Sequence, residues 1–293
     1  MKAGDFPKEI AAFRARSPVR GRKTLQAAML YNRTMPIPER LNPTFASART
    51  PAPVHLDPLE KARKRLIVAL DVPDAAAAAE LVAQLENTCC WFKVGLELLT
   101  AAGPAVIEPL VRRGHSVFLD LKFHDIPNTV AGAVRSVAAL GVRMITLHAA
   151  GGPAMLTAAK AALNGVENPP ELLAVTVLTS MDRTQVNAVG LDRSPAEQVE
   201  LLARMGLAAG MHGFVCSPSE VASLRALTGP EAVLVIPGIR PVGAEAGDQK
   251  RIATPAEALR LGASYLVMGR PITQAPDPAE AAEAILREMA GAF

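Results

Sequence analysis

The sequence predicts an α/β protein, a TIM (β/α)8 barrel over residues 66–293, and three observations carry that reading. Eight short apolar or β-branched runs alternate with stretches rich in Ala, Leu, Glu and Arg, the pattern of repeated strand–helix units. Most runs are continuously apolar rather than alternating, as parallel strands covered on both faces are. Charged and hydroxyl residues gather where the runs end, the side on which such a barrel builds its site. A doubly wound open sheet is the alternative, but no glycine fingerprint follows the first run.

The elements follow in order. LIVALD (66–71) closes on Asp71 and precedes an Ala-rich helix at 74–86. CWFKVG (90–95) carries Lys93, with a helix at 104–113 behind it. SVFLDLK (116–122) ends in Asp120 and Lys122 and leads to a helix at 128–140. MITLHA (144–149) is followed by HAAGG, a tight turn, and a helix at 153–163. LLAVTVL (172–178) runs into Thr179 and Ser180 before a helix at 195–209, with Met181 and Asp182 closing the loop. GFVCS (213–217) and AVLVIPG (232–238) enclose a helix at 218–228. The connection at 238–253 is long for a βα unit, which favours a closing lid. A helix at 255–262, YLVMG (265–269) ending at Gly269 and Arg270, and a helix at 278–290 complete the set.

Half of the 293 residues are hydrophobic, enough for a large core. The net charge of +3 averages two unlike parts: residues 1–65 hold 14 Lys and Arg against 5 Asp and Glu, and the remainder 17 against 23. The basic N-terminal part, rich in Arg, Pro and Ser, lacks periodicity and is expected to be a poorly ordered extension, with Met35 an alternative start. Nothing in it resembles a nucleic-acid module, and no nucleic-acid partner is expected. No apolar run approaches the roughly 18 residues of a membrane helix and no secretory signal opens the chain, so a cytoplasmic protein without a membrane partner is expected. Cys89, Cys90 and Cys216 show no CxxC spacing and read as core filler.

The densest chemistry is FLDLKFHDIPNTV at 118–130. Alternation along a strand puts Phe118, Asp120 and Lys122 on one face, with Asp125 past the strand end. Flanking carboxylates favour the charged form of a lysine, which makes it a positioned proton donor. The loops after strands seven and eight are where this fold often holds phosphate. Gly269 offers close backbone approach there, Arg270 a bidentate contact, and Arg240 or Gln249 a second one. His124 and His148 have no metal partner at useful spacing and are assigned no chemical role.

The DxKxxD signature with its trailing Ile-Pro-Asn-Thr, and ALDVP, FKVGLEL, LTSM, PGIRP and VMGRPIT in that order, resemble the orotidine 5'-phosphate decarboxylase family over residues 66 to about 290. The resemblance implies cofactor-independent decarboxylation of orotidine 5'-phosphate to UMP, the last step of pyrimidine nucleotide synthesis. It implies that Lys122 delivers a proton to C6 of the pyrimidine, that Asp120 lies beside the departing carboxylate, and that Lys93, Asp120, Lys122 and Asp125 form an alternating array. Asp71 and Lys93 would hold the ribose, Thr179 and Ser180 the pyrimidine edge, and Arg240, Gln249, Gly269 and Arg270 the phosphate region. Ile126, Pro127, Asn128 and Thr129 complete the substrate-binding segment. Asp125 and Thr129 would reach the neighbouring site of a homodimer. A magnesium-dependent sugar-phosphate lyase of the same superfamily and a non-catalytic nucleotide-binding protein are the alternatives; DIPNT and LTSM argue against the first, and the complete charge array against the second.

Overall fold

A computed structural model describes residues 56–241 and 251–293. Eight parallel strands close into a barrel in sequence order. They are β1 (Leu66–Ala69), β2 (Trp91–Gly95), β3 (Ser116–Phe123), β4 (Met144–His148), β5 (Glu171–Val175), β6 (Gly213–Val215), β7 (Val233–Ile236) and β8 (Tyr265–Met268). Pairing of Leu66 with Leu266 and of Val68 with Met268 closes the ring. Ile67, Ala69, Phe118, Met144, Leu173, Val175, Val215, Val235 and Val267 fill the interior. The alternate residues, among them Leu66, Val68, Leu70, Phe92 and Val94, are buried in the layer beneath the helices. Two apolar faces per strand account for the unbroken runs in the sequence.

The helices are α1 (Pro58–Arg63), α2 (Ala75–Leu85), α3 (Leu96–Ala102), α4 (Ile107–Arg112), α5 (Pro127–Ala138), α6 (Gly152–Ala161), α7 (Arg183–Ala188), α8 (Pro195–Ala208), α9 (Val221–Thr228), α10 (Pro255–Arg260), α11 (Arg270–Thr273) and α12 (Pro278–Ala290). Their starts are written in the sequence. Asp74 accepts a hydrogen bond from the Ala77 N–H at α2, and Ser194 with Glu197, and Thr254 with Glu257, form capping boxes. Asp182 caps α7, which gives the loop-closing residue a specific task. HAAGG is a turn as expected: Gly152, with φ +84°, occupies a backbone region that favours glycine.

The structure differs from expectation at the N-terminal boundary. Helix α1 lies inside the segment 1–65, capped by Asp57 and packed against α12. The Arg65 guanidinium stands 5.0 Å from the centroid of the Phe293 ring at the other chain end. Six residues are too few to show helical periodicity, so composition misplaced this helix in the extension. The rest of that expectation falls on residues 1–55, outside the described ones.

Candidate active site

A cavity of about 610 Å³ opens at the C-terminal strand ends. Asp71, Lys93, Asp120, Lys122, Thr179, Ser180, Arg240, Gly269 and Arg270 all line it, so the structure gathers most of the expected set. Its wall is apolar where Val175, Val177, Val215, Val235 and Val267 face inward, and its charges come from the ends of β1, β2 and β3 and from the residues after β7 and β8.

The charges from β1, β2 and β3 form a chain. The Lys93 ammonium lies 2.8 Å from Asp71 Oδ1 and 3.8 Å from Asp120 Oδ2. The Lys122 ammonium lies 2.8 Å from Asp120 Oδ1. Asp71, Lys93, Asp120 and Lys122 thus alternate in sign, with Asp120 shared between two cations. Lys93 is only 8% exposed, so its charge depends on these partners for the hydration it has lost. Gly95 makes room for them: a Cβ there would sit 2.8 Å from Lys93 Nζ and 3.2 Å from Asp71 Oδ1.

Lys122 is placed by an irregularity. The β3–β4 register shifts between Leu119, which pairs with Ile145, and Phe123, which pairs with Leu147. Residues 120–122 therefore bulge opposite Thr146, and bulges re-aim side chains near active sites. Lys122 has φ +51°. For a non-glycine residue this left-handed conformation costs on the order of 1–2 kcal/mol, which the surrounding contacts must offset. Its N–H donates to Thr146 Oγ1 at 2.8 Å, and that hydroxyl donates to Asp120 Oδ1 at 3.0 Å.

The same cavity is lined by Arg240 and Arg270, which follow β7 and β8. Arg240 is 8% exposed, and burial, then the nearby charge of Arg270, holds its guanidinium below the usual arginine range. Two cations that disfavour one another become mutually compatible when an anion lies between them. The ends of the loop carrying Arg240 are joined by a parallel bridge between Ile239 and Ala253. Just inside its far end, Arg251 forms a part-buried ion pair with Glu220 and donates to the Leu178 carbonyl at 3.0 Å. This ties the β7 and β5 connections together. The middle of the lid expected at 238–253, with Gln249, falls on residues 242–250, outside the described ones.

The DIPNT segment behaves differently. Asp125 accepts from the Ile126 N–H at 2.6 Å. It forms no ion pair with Lys93 or Lys122 and does not line the cavity, nor do Ile126, Pro127, Asn128 and Thr129. Asp125, Asn128 and Thr129 are exposed, and Ile126 is 68% exposed. Within one chain, then, the array has four charges from Asp71 to Lys122 and excludes Asp125.

Three features escaped the sequence reading. Gly95 creates space, and nothing in a sequence marks space. Thr146 shares the inward face with Met144 by strand alternation, a signal that could have found it. Cys216, read as core filler, is buried but also lines the cavity; burial pushes its thiol well above the ordinary range, so it stays neutral. His124 and His148 lie with ring centroids 5.4 Å apart. Burial, then the charges of His124 and Lys122, lowers the His148 pKa below the usual histidine value. Among the described residues no group of three or more His, Cys, Asp or Glu side chains is gathered to hold a metal ion, and no helix is long and apolar enough to cross a membrane.

Comparison with known proteins follows the same lines. Residues 64–285 match the family described as orotidine 5'-phosphate decarboxylase / HUMPS. An orotidine 5'-phosphate decarboxylase of Moorella thermoacetica is 55% identical over 234 residues, covering 78% of this chain and 93% of that one. One from Halorhodospira halophila is 53% identical over 228 residues, covering 78% and 97%. The crystal structure of orotidine 5'-phosphate decarboxylase from Lactobacillus acidophilus superposes with a TM-score of 0.69 at 40% identity, covering 77% of this chain and 99% of that chain. Because the matched segment takes in all eight barrel strands and the whole Asp71-to-Lys122 charge chain, this protein belongs to the orotidine 5'-phosphate decarboxylase / HUMPS family.

Proposed function

We propose that the chain decarboxylates orotidine 5'-phosphate to UMP and carbon dioxide, closing pyrimidine nucleotide synthesis. The observation that carries this reading is the cavity's charge pattern: a fixed Asp71–Lys93–Asp120–Lys122 chain from β1, β2 and β3, and the Arg240–Arg270 pair that follows β7 and β8. A nucleotide bearing an acidic pyrimidine fits such a cavity, with its phosphate at the arginines, its ribose hydroxyls at Asp71 and Lys93, and its ring against the apolar wall near Thr179 and Ser180.

The chemistry is redox-neutral. The C6–carboxylate bond breaks, carbon dioxide leaves, and the electron pair stays on C6, where no adjacent carbonyl delocalises it. Stabilisation must come from a cation already in place, and Lys122 is that cation. Its ammonium then gives a proton to C6, yielding UMP and a neutral amine that regains its proton from solvent. Asp120 holds Lys122 and lies beside the departing carboxylate. Phosphate contacts far from C6 contribute binding energy that holds the ring against this array.

The active form is proposed to be a homodimer in which Asp125 and Thr129 complete the partner's site. Exposure supports this: Leu96 and Ile126, 60% and 68% exposed, follow the C-terminal ends of β2 and β3, and exposed large apolar side chains mark an interaction surface.

Incubation of the protein with orotidine 5'-phosphate in deuterated water tests the reaction. UMP carrying one deuterium at C6 is expected, with turnover unaffected by prior chelation. Absence of UMP would refute the decarboxylase reading, and chelator-sensitive turnover of a sugar phosphate would transfer the chain to the lyase branch.

A further inference from the structure

We propose that Thr146 is a positioning residue for the reaction, the group that holds Lys122 in its strained conformation and aims its ammonium at the reacting carbon. The proposal rests on the decarboxylase reading for its kinetic arm and on the geometry alone for its structural arm.

Thr146 lies on β4 with no exposed surface. It is the residue opposite the β3 bulge: Ile145 pairs with Leu119 and Leu147 with Phe123, leaving Thr146 to face residues 120–122 by itself. An ordinary ladder would satisfy the Lys122 N–H with a β4 carbonyl. Here the N–H donates to Thr146 Oγ1 at 2.8 Å instead. The hydroxyl has a single hydrogen, and it points to Asp120 Oδ1, 3.0 Å away. The same carboxylate oxygen takes the Lys122 ammonium at 2.8 Å. A closed circuit results, running from the Lys122 backbone through Thr146 and Asp120 back to the Lys122 side chain.

Each link in this circuit has a fixed direction. With its acceptor lone pair engaged by a backbone N–H, the hydroxyl must donate to Asp120, which turns that carboxylate toward Lys122 before any substrate arrives. The circuit also holds Lys122 at φ +51°, a conformation that lysine leaves when nothing compels it. Catalysis by a preorganised cation requires that the cation not rearrange as charge develops. Thr146 supplies that restraint without lining the cavity or touching the ligand site, so its loss should alter turnover rather than ligand affinity.

Thr146→Val keeps the β-branched shape and removes the hydroxyl, leaving a buried N–H without a partner; Thr146→Ser keeps the hydroxyl and removes the methyl group. For orotidine 5'-phosphate, the valine variant should lose kcat by ~10- to 100-fold while KM, and the Kd for UMP, stay within about threefold. The serine variant should keep kcat within about threefold of wild type. Hydrogen exchange at the Lys122 backbone amide, followed by NMR on the free proteins, should accelerate in the valine variant and not in the serine variant. Wild-type kcat in Thr146→Val, equal losses in both variants, or unchanged amide exchange would each overturn the proposal. If the valine variant does not fold, Thr146→Ser against Thr146→Ala decides it in the same way: retained kcat in serine and lost kcat in alanine support it, and equal loss refutes it. A wild-type protein inactive on orotidine 5'-phosphate would refute the decarboxylase reading, and the exchange measurement would still decide whether Thr146 holds Lys122.

Discussion

Gly95→Ala tests whether the charge chain is as tightly fitted as its geometry indicates. Gly95 ends β2 with φ −99° and ψ −171°, a conformation open to any residue, so alanine brings crowding rather than backbone strain. Its Cβ would stand 2.8 Å from Lys93 Nζ, and ordinary contact begins at 3.4 Å. The ammonium must retreat from a place where Asp71 holds it at 2.8 Å. Lengthening that pair by about 0.6 Å at an effective dielectric near 20 loses ~1 kcal/mol. Solvent at the half-exposed Asp71 softens the loss, while disturbance of the second contact, to Asp120 at 3.8 Å, adds to it. A fall of about fivefold in kcat/KM for orotidine 5'-phosphate follows. Alanine is also a poorer cap than glycine at the start of α3, so the melting midpoint should drop by no more than ~2–4 °C. The assays are steady-state kinetics and thermal unfolding of the same preparation. Wild-type kcat/KM in a folded variant would show that Lys93 need not sit where it does. A midpoint drop above ~10 °C would show that the glycine serves the fold instead.

Lys122→Ala should abolish detectable turnover while UMP still binds, measured by calorimetry, because the phosphate contacts remain; near-wild-type turnover would remove Lys122 from the mechanism. Lys122→Ala and Asp125→Ala chains, each nearly inactive alone, should regain activity when mixed, reaching about one quarter of all sites after random exchange between two-fold dimers. Exchange proven with tagged chains but without recovered activity would mean that Asp125 serves its own subunit. His148 gives a pH test. Its pKa is lowered in the fold from the ordinary 6.5, so the unfolded chain binds the proton more readily, and the neutral, half-buried ring contributes stability that is present above that value and lost as pH falls below it. The stability difference between wild type and His148→Asn, from urea unfolding, should shrink from pH 7.5 to 5.5; a widening difference would contradict the assignment.

The strands were legible because each is apolar on both faces, and all eight lie where the runs placed them. Their C-terminal ends were overestimated where buried residues leave the ladder. Cys216 and Ser217 continue the run of β6 but lie beyond its end at Val215, and Ser217 instead pairs with Glu220 to start the next turn. Helices α1, α7 and α11 span six, six and four residues, too short to leave a periodic signal; α4 and α10, also six residues, were legible from their place between consecutive strands. Helix α3 was missed for another reason: LELLTAA follows β2 with no connecting segment, the last strand residue, Gly95, being also the helix cap. Within the site, the Asp120–Lys122 relation was legible because both residues belong to one strand. The Lys93–Asp71 contact and the Thr146 circuit were not, since they depend on register between strands, and the bulge that creates the circuit is a property of pairing rather than of either segment.

A crystal structure of the protein with UMP bound tests the central claim most directly. The account predicts phosphate oxygens on Arg240 and Arg270 and the pyrimidine C6 about 3 Å from Lys122 Nζ, within reach of proton transfer. A nucleotide bound in the reverse sense, with its phosphate at the lysines, or bound outside this cavity, would contradict it.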